Sequence, residues 1–201
     1  MLILIDNGHG AETAGKRSPD GRLREWSYAR EIAVRLEAAL KEKGMDAMRV
    51  VPEDRDVPLT AGADSRVGRV NALCAGRPAS DTLLVSIHCN AAGNGSQWMT
   101  ARGWSAHVSP NASYGSRRLA LALIRAAEAA GLTVRRHSRQ TPWWPQDLAV
   151  CRDTKCPAVL TENLFQDNRR DVDFLLSEEG KETITELHLN GIMTYVGEAW
   201  R

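Results

Sequence analysis

Short apolar runs alternate with amphipathic helical patterns along this chain, and this alternation constrains the fold more than any other feature of the sequence. The first run, residues 2–5, is followed at once by Asp6, Asn7 and Gly8, a pattern typical of a buried strand that ends in a tight turn. Because strands alternate with helices, the sequence predicts an α/β fold with a mostly parallel sheet. Strands are predicted at 2–5, 48–51, 82–87, 104–109, 133–136 and 158–160.

The helices are predicted from apolar residues that recur at helical spacing. Tyr28, Ile32, Leu36 and Leu40 lie four residues apart and form one apolar stripe. No internal repeat or low-complexity linker divides the 201 residues, so we expect one domain over residues 1–201. Helices are predicted at 27–43, 65–75, 116–130, 169–176 and 178–195.

Charge and hydropathy exclude several classes of partner. Lys and Arg total 26 against 25 Asp and Glu, so the chain lacks the basic excess that nucleic-acid binding usually needs, and we expect no nucleic-acid partner. No apolar stretch reaches the length of a membrane span. The apolar run at residues 2–5 is too short for a secretory signal and has no basic residues before it. We therefore interpret it as the first strand.

The four cysteines do not form a metal-binding or redox motif. Cys74, Cys89, Cys151 and Cys156 include no Cys-x-x-Cys pair, and a domain of this size can build its own core without disulfides. They are predicted to be buried or partly buried free thiols.

Three predicted strands end in residues that can bind a metal or move a proton. His9 follows the first strand, His88 follows the third, and Glu162 follows the strand at 158–160. Reactive groups gather at the carboxyl ends of the strands in parallel sheets. If these strands are neighbours, the two imidazoles and the carboxylate meet at one edge of the sheet.

A second carboxylate, Glu25, lies on the buried side of the first helix if the apolar stripe is extended backwards from Ile32 and Tyr28. A buried carboxylate is costly unless it is paired or bound to a metal. His, Glu and His with a water in the fourth position is a common catalytic zinc set. Such a site also needs a carboxylate that is not a ligand to accept and pass on a proton, and Glu162 is the candidate.

These motifs, in this order, resemble the catalytic domain of the type 3 zinc-dependent N-acetylmuramoyl-L-alanine amidases. The resemblance spans nearly the whole chain, and Leu59, Arg66 and Asn71 are similar to a further helical motif of that family. The motifs that carry it are Asp6-Asn7-Gly8-His9-Gly10, Glu25, Ser86-Ile87-His88-Cys89-Asn90-Ala91 and Pro157-Ala158-Val159-Leu160-Thr161-Glu162-Asn163-Leu164-Phe165.

The resemblance implies a mixed six-stranded sheet sandwiched between helices. It implies that His9, Glu25 and His88 bind Zn²⁺ and that Glu162 is the catalytic base and acid. The implied reaction is hydrolysis of the amide bond between N-acetylmuramic acid and L-alanine of the stem peptide, with peptidoglycan or muropeptides as substrate.

The chain departs from the family pattern at several positions. Ala11 follows the first motif where the family commonly has a second glycine, and Thr161-Glu162-Asn163-Leu164 replaces the commoner Val-Glu-x-Gly. Cys89 lies between His88 and Asn90 and is expected to face away from His88. The segment 91–103 is too short for the inhibitory helix of some family members, so we predict no autoinhibition of that kind.

Each candidate residue also has a structural interpretation when it is taken alone. His9 could be a turn residue and His88 a core histidine. Glu25 could be a charge at a helix N-terminus, and Glu162 could pair with Arg152.

The sequence indicates packing or surface roles for the remaining histidines and leaves the roles of Asp6 and three tryptophans open. We expect His107, His137 and His188 to be surface or packing residues; these three match no ligand position of the motifs. Asp6 either orients a ligand histidine or caps the turn after the first strand. For Trp26, Trp143 and Trp144, both core packing and a place beside the substrate remain open.

Two other functions remain possible from the sequence. One is a different zinc hydrolase, of the carboxypeptidase or aminopeptidase type, which often uses two metals. The other is a module that binds cell wall without cleaving it. The sequence fits a phage-type lysin as well as the mature domain of an exported enzyme, and it gives no indication of oligomeric state.

Overall fold

The computed structural model describes residues 1–199, which fold into a six-stranded sheet with helices on both faces. The strand order is β2-β1-β3-β6-β4-β5. The first four of these are parallel, β4 runs antiparallel to β6, and β5 is parallel to β4. The strands are β1 (Leu2–Asn7), β2 (Asp46–Arg49), β3 (Thr82–Asn90), β4 (Ser105–Val108), β5 (Trp144–Pro145) and β6 (Ala158–Phe165). This arrangement confirms the predicted mixed, mostly parallel sheet.

The predicted helices are also present, with ends that differ by a few residues at most from the sequence-based bounds except at the end of the last helix. The helices are α1 (Glu25–Glu42), α2 (Arg66–Cys74), α3 (Tyr114–Ala129), α4 (Ala149–Arg152), α5 (Arg169–Leu176) and α6 (Glu178–Ala199), with a short 3₁₀ helix at Ala79–Asp81. None of the helices within residues 1–199 is long and apolar enough to cross a membrane. Residues 200 and 201 of the predicted domain lie outside the described part of the chain.

The sheet divides the core into two layers. Side chains such as Ile3 and Ile5 pack with α1, α3 and α6, while Leu2 and Leu4 face the smaller layer of α2 and α4. All six residues of β1 are buried. A strand covered on both faces needs apolar residues in succession rather than in alternation, which explains the continuous run that opens the sequence.

The edge of the sheet differs from the prediction. Residues 133–136 do not form a strand; Val134 makes only an isolated bridge to Trp104. The outermost strand is instead the two-residue β5, which ends in Pro145. A proline removes a backbone donor and is tolerated at a sheet edge. The second strand also begins two residues earlier than predicted.

A β-bulge shapes the carboxyl end of β6. His88 pairs with Glu162 and Asn90 pairs with Phe165, so two residues of β6 face one residue of β3. Leu164, in the bulge, has a φ of 65°, a left-handed conformation that is unusual for a bulky residue. Bulges of this kind redirect neighbouring side chains and often lie beside active sites.

The other bulge residue, Asn163, joins β6 to β3 and to Trp104, the residue before β4, through two hydrogen bonds. Its Nδ2 donates to the carbonyl oxygen of His88 at 2.9 Å, and its Oδ1 accepts from the indole Nε1 of Trp104 at 2.8 Å. Asn163 and Trp104 are both fully buried. The amide therefore links the end of β3 to the start of β4.

Replacement of Asn163 by Leu is expected to lower the free energy of unfolding by about 2–4 kcal/mol, because it leaves buried polar groups of His88 and Trp104 unpaired. Urea denaturation would measure this change. Asn190→Leu, at an exposed position of α6, is the control and should alter stability by less than about 0.5 kcal/mol. Equal stability of the two variants would contradict the structural role of Asn163.

Candidate metal centre

His9, Glu25 and His88 converge at the carboxyl end of the sheet, although 79 positions separate the first from the last. One nitrogen or oxygen of each side chain lies within 4.8 Å of those of the other two. Glu25 Oε1 is 3.0 Å from His88 Nδ1 and 3.3 Å from His9 Nε2. The two imidazole rings are nearly perpendicular, at 84°, with centroids 5.0 Å apart. We refer to these three residues as the metal centre.

Two glycines make room for the turn that carries His9. A Cβ added to Gly8 would lie 2.3 Å from the ring of His88, and one added to Gly10 would lie 2.2 Å from the backbone of Asp56. His9 itself has a φ of 63°. The turn after β1 therefore needs glycine on both sides of a histidine in a left-handed conformation.

Glu25 is the first residue of α1, and it is only 1% exposed. Its Oε1 also accepts a hydrogen bond from the backbone N–H of Cys89 at 3.0 Å. Burial alone would raise the pKa of Glu25, but hydrogen bonds from His88 and His9 outweigh it and hold the pKa well below its usual range. Burial alone would lower the pKa of His88, but the hydrogen bond to Glu25 outweighs it, so the pKa of His88 is raised.

The second oxygen of Glu25 supports metal binding. Glu25 Oε2 is buried and has no hydrogen-bond partner within residues 1–199. An unpaired, buried carboxylate oxygen beside two imidazoles is costly in the absence of a cation. His, Glu and His are also the donor types that a catalytic zinc site uses, so the residues present fit such an ion.

Glu162 lies next to the metal centre but is not one of its three residues. It pairs in register with His88 across β3 and β6. Burial is the main cause that raises the pKa of Glu162 to about 7; the charge of Glu25 adds to it, and His88 and Lys16 act in the opposite direction. A carboxyl group with a pKa near neutrality can both accept and donate a proton. Its proposed structural partner, Arg152, pairs instead with Asp147 and Asp153.

A cavity of about 510 Å³ opens beside His9 and His88. Its walls are largely apolar, with polar groups concentrated near the metal centre, as is usual for sites that bind organic ligands. The apolar lining residues are Val57, Pro58, Leu59, Leu148, Ala149, Val150 and Leu160.

Within the described residues, Asp6 makes no direct hydrogen bond to a ligand histidine. Its carboxylate accepts hydrogen bonds from Ser86 Oγ at 2.5 Å and from Arg66 Nη1 at 2.7 Å. Its side chain shares the cavity-lining face of the sheet with His88, but the buried guanidinium of Arg66 provides a stronger partner. Among residues 1–199, the Asp6 side chain thus bonds to Ser86 and Arg66 rather than to a ligand histidine or a backbone N–H of the turn.

The other three histidines stay outside the metal centre. His107 is buried against Ser105 and Gln146, His188 is buried with a hydrogen bond to Thr161 Oγ1, and His137 is exposed. The expectation of packing and surface roles is confirmed for all three.

The four cysteines are free and buried, as predicted. Cys89 packs in the core layer of α1, α3 and α6, on the opposite face of β3 from His88. The cavity beside the metal centre is not lined by a tryptophan of the described chain. Trp144 stacks on His107 and donates its indole N–H to Arg135, while Trp143 packs against the core.

Two buried arginines near the metal centre received no role from the sequence. Arg30 and Arg66 both donate hydrogen bonds to the carbonyl oxygen of His9. Arg66 belongs to a helical motif that the sequence shares with the amidases, but its burial is visible only in the fold. Arg30 follows the buried residue Ala29 of α1, and no spacing rule marked it.

Comparison with known proteins gives a consistent family assignment. The family model described as N-acetylmuramoyl-L-alanine amidase matches residues 3–194, a range that contains the metal centre and Glu162. An endolysin of Bacillus phage SPP1 is 27% identical over 191 residues, which cover 95% of this chain and 64% of the endolysin. The chain thus spans less than two thirds of the length of that relative.

Solved structures show that the fold is shared. An N-acetylmuramoyl-L-alanine amidase from Clostridium difficile 630 superposes with a TM-score of 0.82 at 24% identity, covering 98% of this chain and 96% of the other. The amidase Ami1 from Mycobacterium smegmatis gives 0.81 at 23% identity, with 98% and 97% covered. The catalytic domain of CwlV from Bacillus (Paenibacillus) polymyxa var. colistinus gives 0.78 at 24%, with 98% of both chains covered.

Replacing any one of His9, Glu25 and His88 by Ala should abolish stable metal binding, because a site with only two protein ligands loses most of its affinity for the metal. Elemental analysis of the purified protein should find about one metal ion per chain in the unaltered protein and far less in the variants. His137→Ala, at an exposed histidine, is the control and should keep its metal. Full metal content in the Glu25 variant would remove that residue from the site.

Proposed function

The chain belongs to the N-acetylmuramoyl-L-alanine amidase family, and we propose that it hydrolyses the amide bond between N-acetylmuramic acid and the L-alanine of the peptidoglycan stem peptide. In this proposal His9, Glu25 and His88 bind Zn²⁺, and Glu162 is the catalytic base and acid. Residues 1–201 are the catalytic domain. The observation that carries the proposal is a buried carboxyl group, Glu162, with a pKa raised to about 7 directly beside a His–Glu–His cluster.

Zinc is the metal that this set of donors favours. His9, Glu25 and His88 would hold the ion with two imidazoles and one carboxylate, which are the three protein ligands of many catalytic zinc sites. A zinc ion held there would polarise the scissile carbonyl group and lower the pKa of a bound water towards about 7. The orphaned oxygen of Glu25 supports this choice.

Glu162 carries the proton transfers of the reaction. Its carboxylate accepts a proton from the attacking water and then donates that proton to the nitrogen of the departing L-alanine. Burial favours this cycle, since it keeps the pKa close to the pH at which both steps must occur. Glu162 Oε2 is buried and unpaired within the described chain, so no hydrogen bond has to be broken before that oxygen acts.

The cavity beside His9 and His88 is the place for the part of the substrate that flanks the scissile bond. Its apolar walls, formed by residues 57–59 and 148–150, offer no side-chain hydrogen-bond partners to water, so a bound substrate would displace water from one side of the metal centre. Exclusion of water strengthens the electrostatic interactions between the ionised groups and a bound substrate.

A peptidase of the carboxypeptidase or aminopeptidase type is the second candidate, because it too would use zinc and a carboxylate base. One experiment separates the two. Incubation with defined muropeptides, followed by mass spectrometry, should yield the free sugar strand and the intact stem peptide. Trimmed stem peptides still attached to the sugar would contradict the amidase assignment, and a chelator should stop the reaction in either case.

Glu162→Gln should reduce kcat by about 10²- to 10⁴-fold, the usual contribution of a general base, while the zinc content stays unchanged. The amide keeps the size of the side chain but cannot accept the proton. Glu182→Gln, at an exposed position of α6, serves as the control and should retain full activity. Turnover of the Glu162 variant within a few-fold of normal would remove this residue from the mechanism.

A further inference from the structure

We propose that Arg66 and Arg30 are positioning residues for the metal centre: together they hold the main chain of His9 so that its imidazole faces Glu25 and His88. This inference rests on the proposed function, since it takes His9 to be a zinc ligand. It assigns a role in metal affinity to two arginines that lie on different helices and do not belong to the ligand set.

His9 needs such support because of its backbone. With a φ of 63°, His9 adopts a left-handed backbone conformation, which residues other than glycine rarely adopt unless their surroundings stabilise it. The glycines on both sides give the turn room, and their backbone N–H groups bond to the carbonyl oxygen of Ile87 and to Thr13 Oγ1, but neither bond involves His9 itself. Something else must therefore keep the imidazole of His9 aimed at the site.

Two guanidinium groups, from two different helices, hold the backbone of His9. Arg66 Nη2, from α2, donates to the carbonyl oxygen of His9 at 2.7 Å. Arg30 Nη1, from α1, donates to the same oxygen at 3.0 Å. One carbonyl oxygen has two acceptor sites, so the two arginines satisfy both and fix the peptide plane after His9.

Each guanidinium is itself anchored. Arg66 donates to the Asp6 carboxylate at 2.7 Å and from Nε to the carbonyl of Val57 at 3.1 Å. Arg30 donates to the carbonyls of Trp26 and Glu53 at 3.0 and 2.9 Å. Arg66 is 4% exposed and Arg30 6%. Side chains held by several bonds in a buried setting transmit their position to His9.

Only arginine can make this set of contacts. Its guanidinium presents five donors in a fixed plane, whereas the ammonium of lysine offers three donors at one point. A lysine at position 66 could still neutralise Asp6, but it could not bond Asp6, Val57 and His9 together. Arg66→Lys therefore separates the charge of the residue from its geometry.

The experiment measures the zinc dissociation constant of the metal-free protein by competition with a chromophoric chelator, alongside urea denaturation of the same metal-free samples. Arg66→Lys should bind zinc about 10- to 100-fold more weakly, the range found when residues that orient metal ligands are changed. The matched control is Arg69→Lys, one turn further along α2. Arg69 bonds to Glu53, Asp64 and the carbonyl of Val50 instead of His9, and its variant should keep wild-type zinc affinity within about twofold.

The two readouts distinguish positioning from stability. A purely structural role would lower the stability of the metal-free protein and leave the zinc affinity of the folded protein unchanged, and that result for Arg66→Lys would overturn the inference. If Arg66→Lys does not fold, Arg30→Lys decides: weaker zinc binding supports the inference, and wild-type affinity overturns it. A wild-type chain that binds no zinc would overturn the proposed metal centre, whereas equal, tight binding by the wild type and Arg66→Lys would overturn only the positioning role.

Discussion

A negative charge buried at the start of a helix organises this molecule. Glu25 is removed from water almost completely, and its Oε1 lies 3.0 and 3.3 Å from two imidazoles that come from the ends of separate strands. The N-terminus of α1 is the favourable end of the helix dipole for a carboxylate. Even so, the balance holds only if β1, β3 and α1 meet at one place. Because this one buried carboxylate needs partners from both strands, it fixes the start of α1 against the carboxyl edge of the sheet.

The sheet meets that requirement through its strand order. Because β1, β3 and β6 are adjacent and parallel, their carboxyl ends lie side by side and present His9, His88 and Glu162 from successive strands. The pKa values of the two carboxyl groups, Glu25 and Glu162, differ because their neighbours differ. Glu25 touches both imidazoles and stays ionised, while the pKa of Glu162, buried and near another negative charge, rises to about 7.

Much of this could be predicted from the sequence, and the reasons are local. Continuous apolar runs mark strands that are covered on both faces, and the spacing of Tyr28, Ile32 and Leu36 is sufficient to place Glu25 on the buried side of α1. Contacts that depend on distant residues could not be derived. Asp6 was expected either to orient a ligand histidine or to cap the turn after β1, but its carboxylate pairs with a guanidinium 60 positions away. The outer strand was misplaced because an edge strand of two residues has almost no periodicity. The two arginines that meet at the carbonyl of His9 come from different helices, and no pattern within either helix records that they converge.

The bulge in β6 has a consequence for how this strand can change over evolutionary time. Side chains in a strand alternate between the two faces of the sheet. An insertion or deletion of one residue ahead of Glu162 would therefore turn its carboxylate towards the layer of α1, α3 and α6. A neutral neighbour would then face the metal centre. The local irregularity at Asn163 and Leu164 comes just after that carboxylate and already contains one extra residue. A change of length ahead of position 162 therefore removes the carboxylate from the reactive side, whereas one after it leaves the direction of Glu162 unchanged and instead disturbs the hydrogen bonds of Asn163.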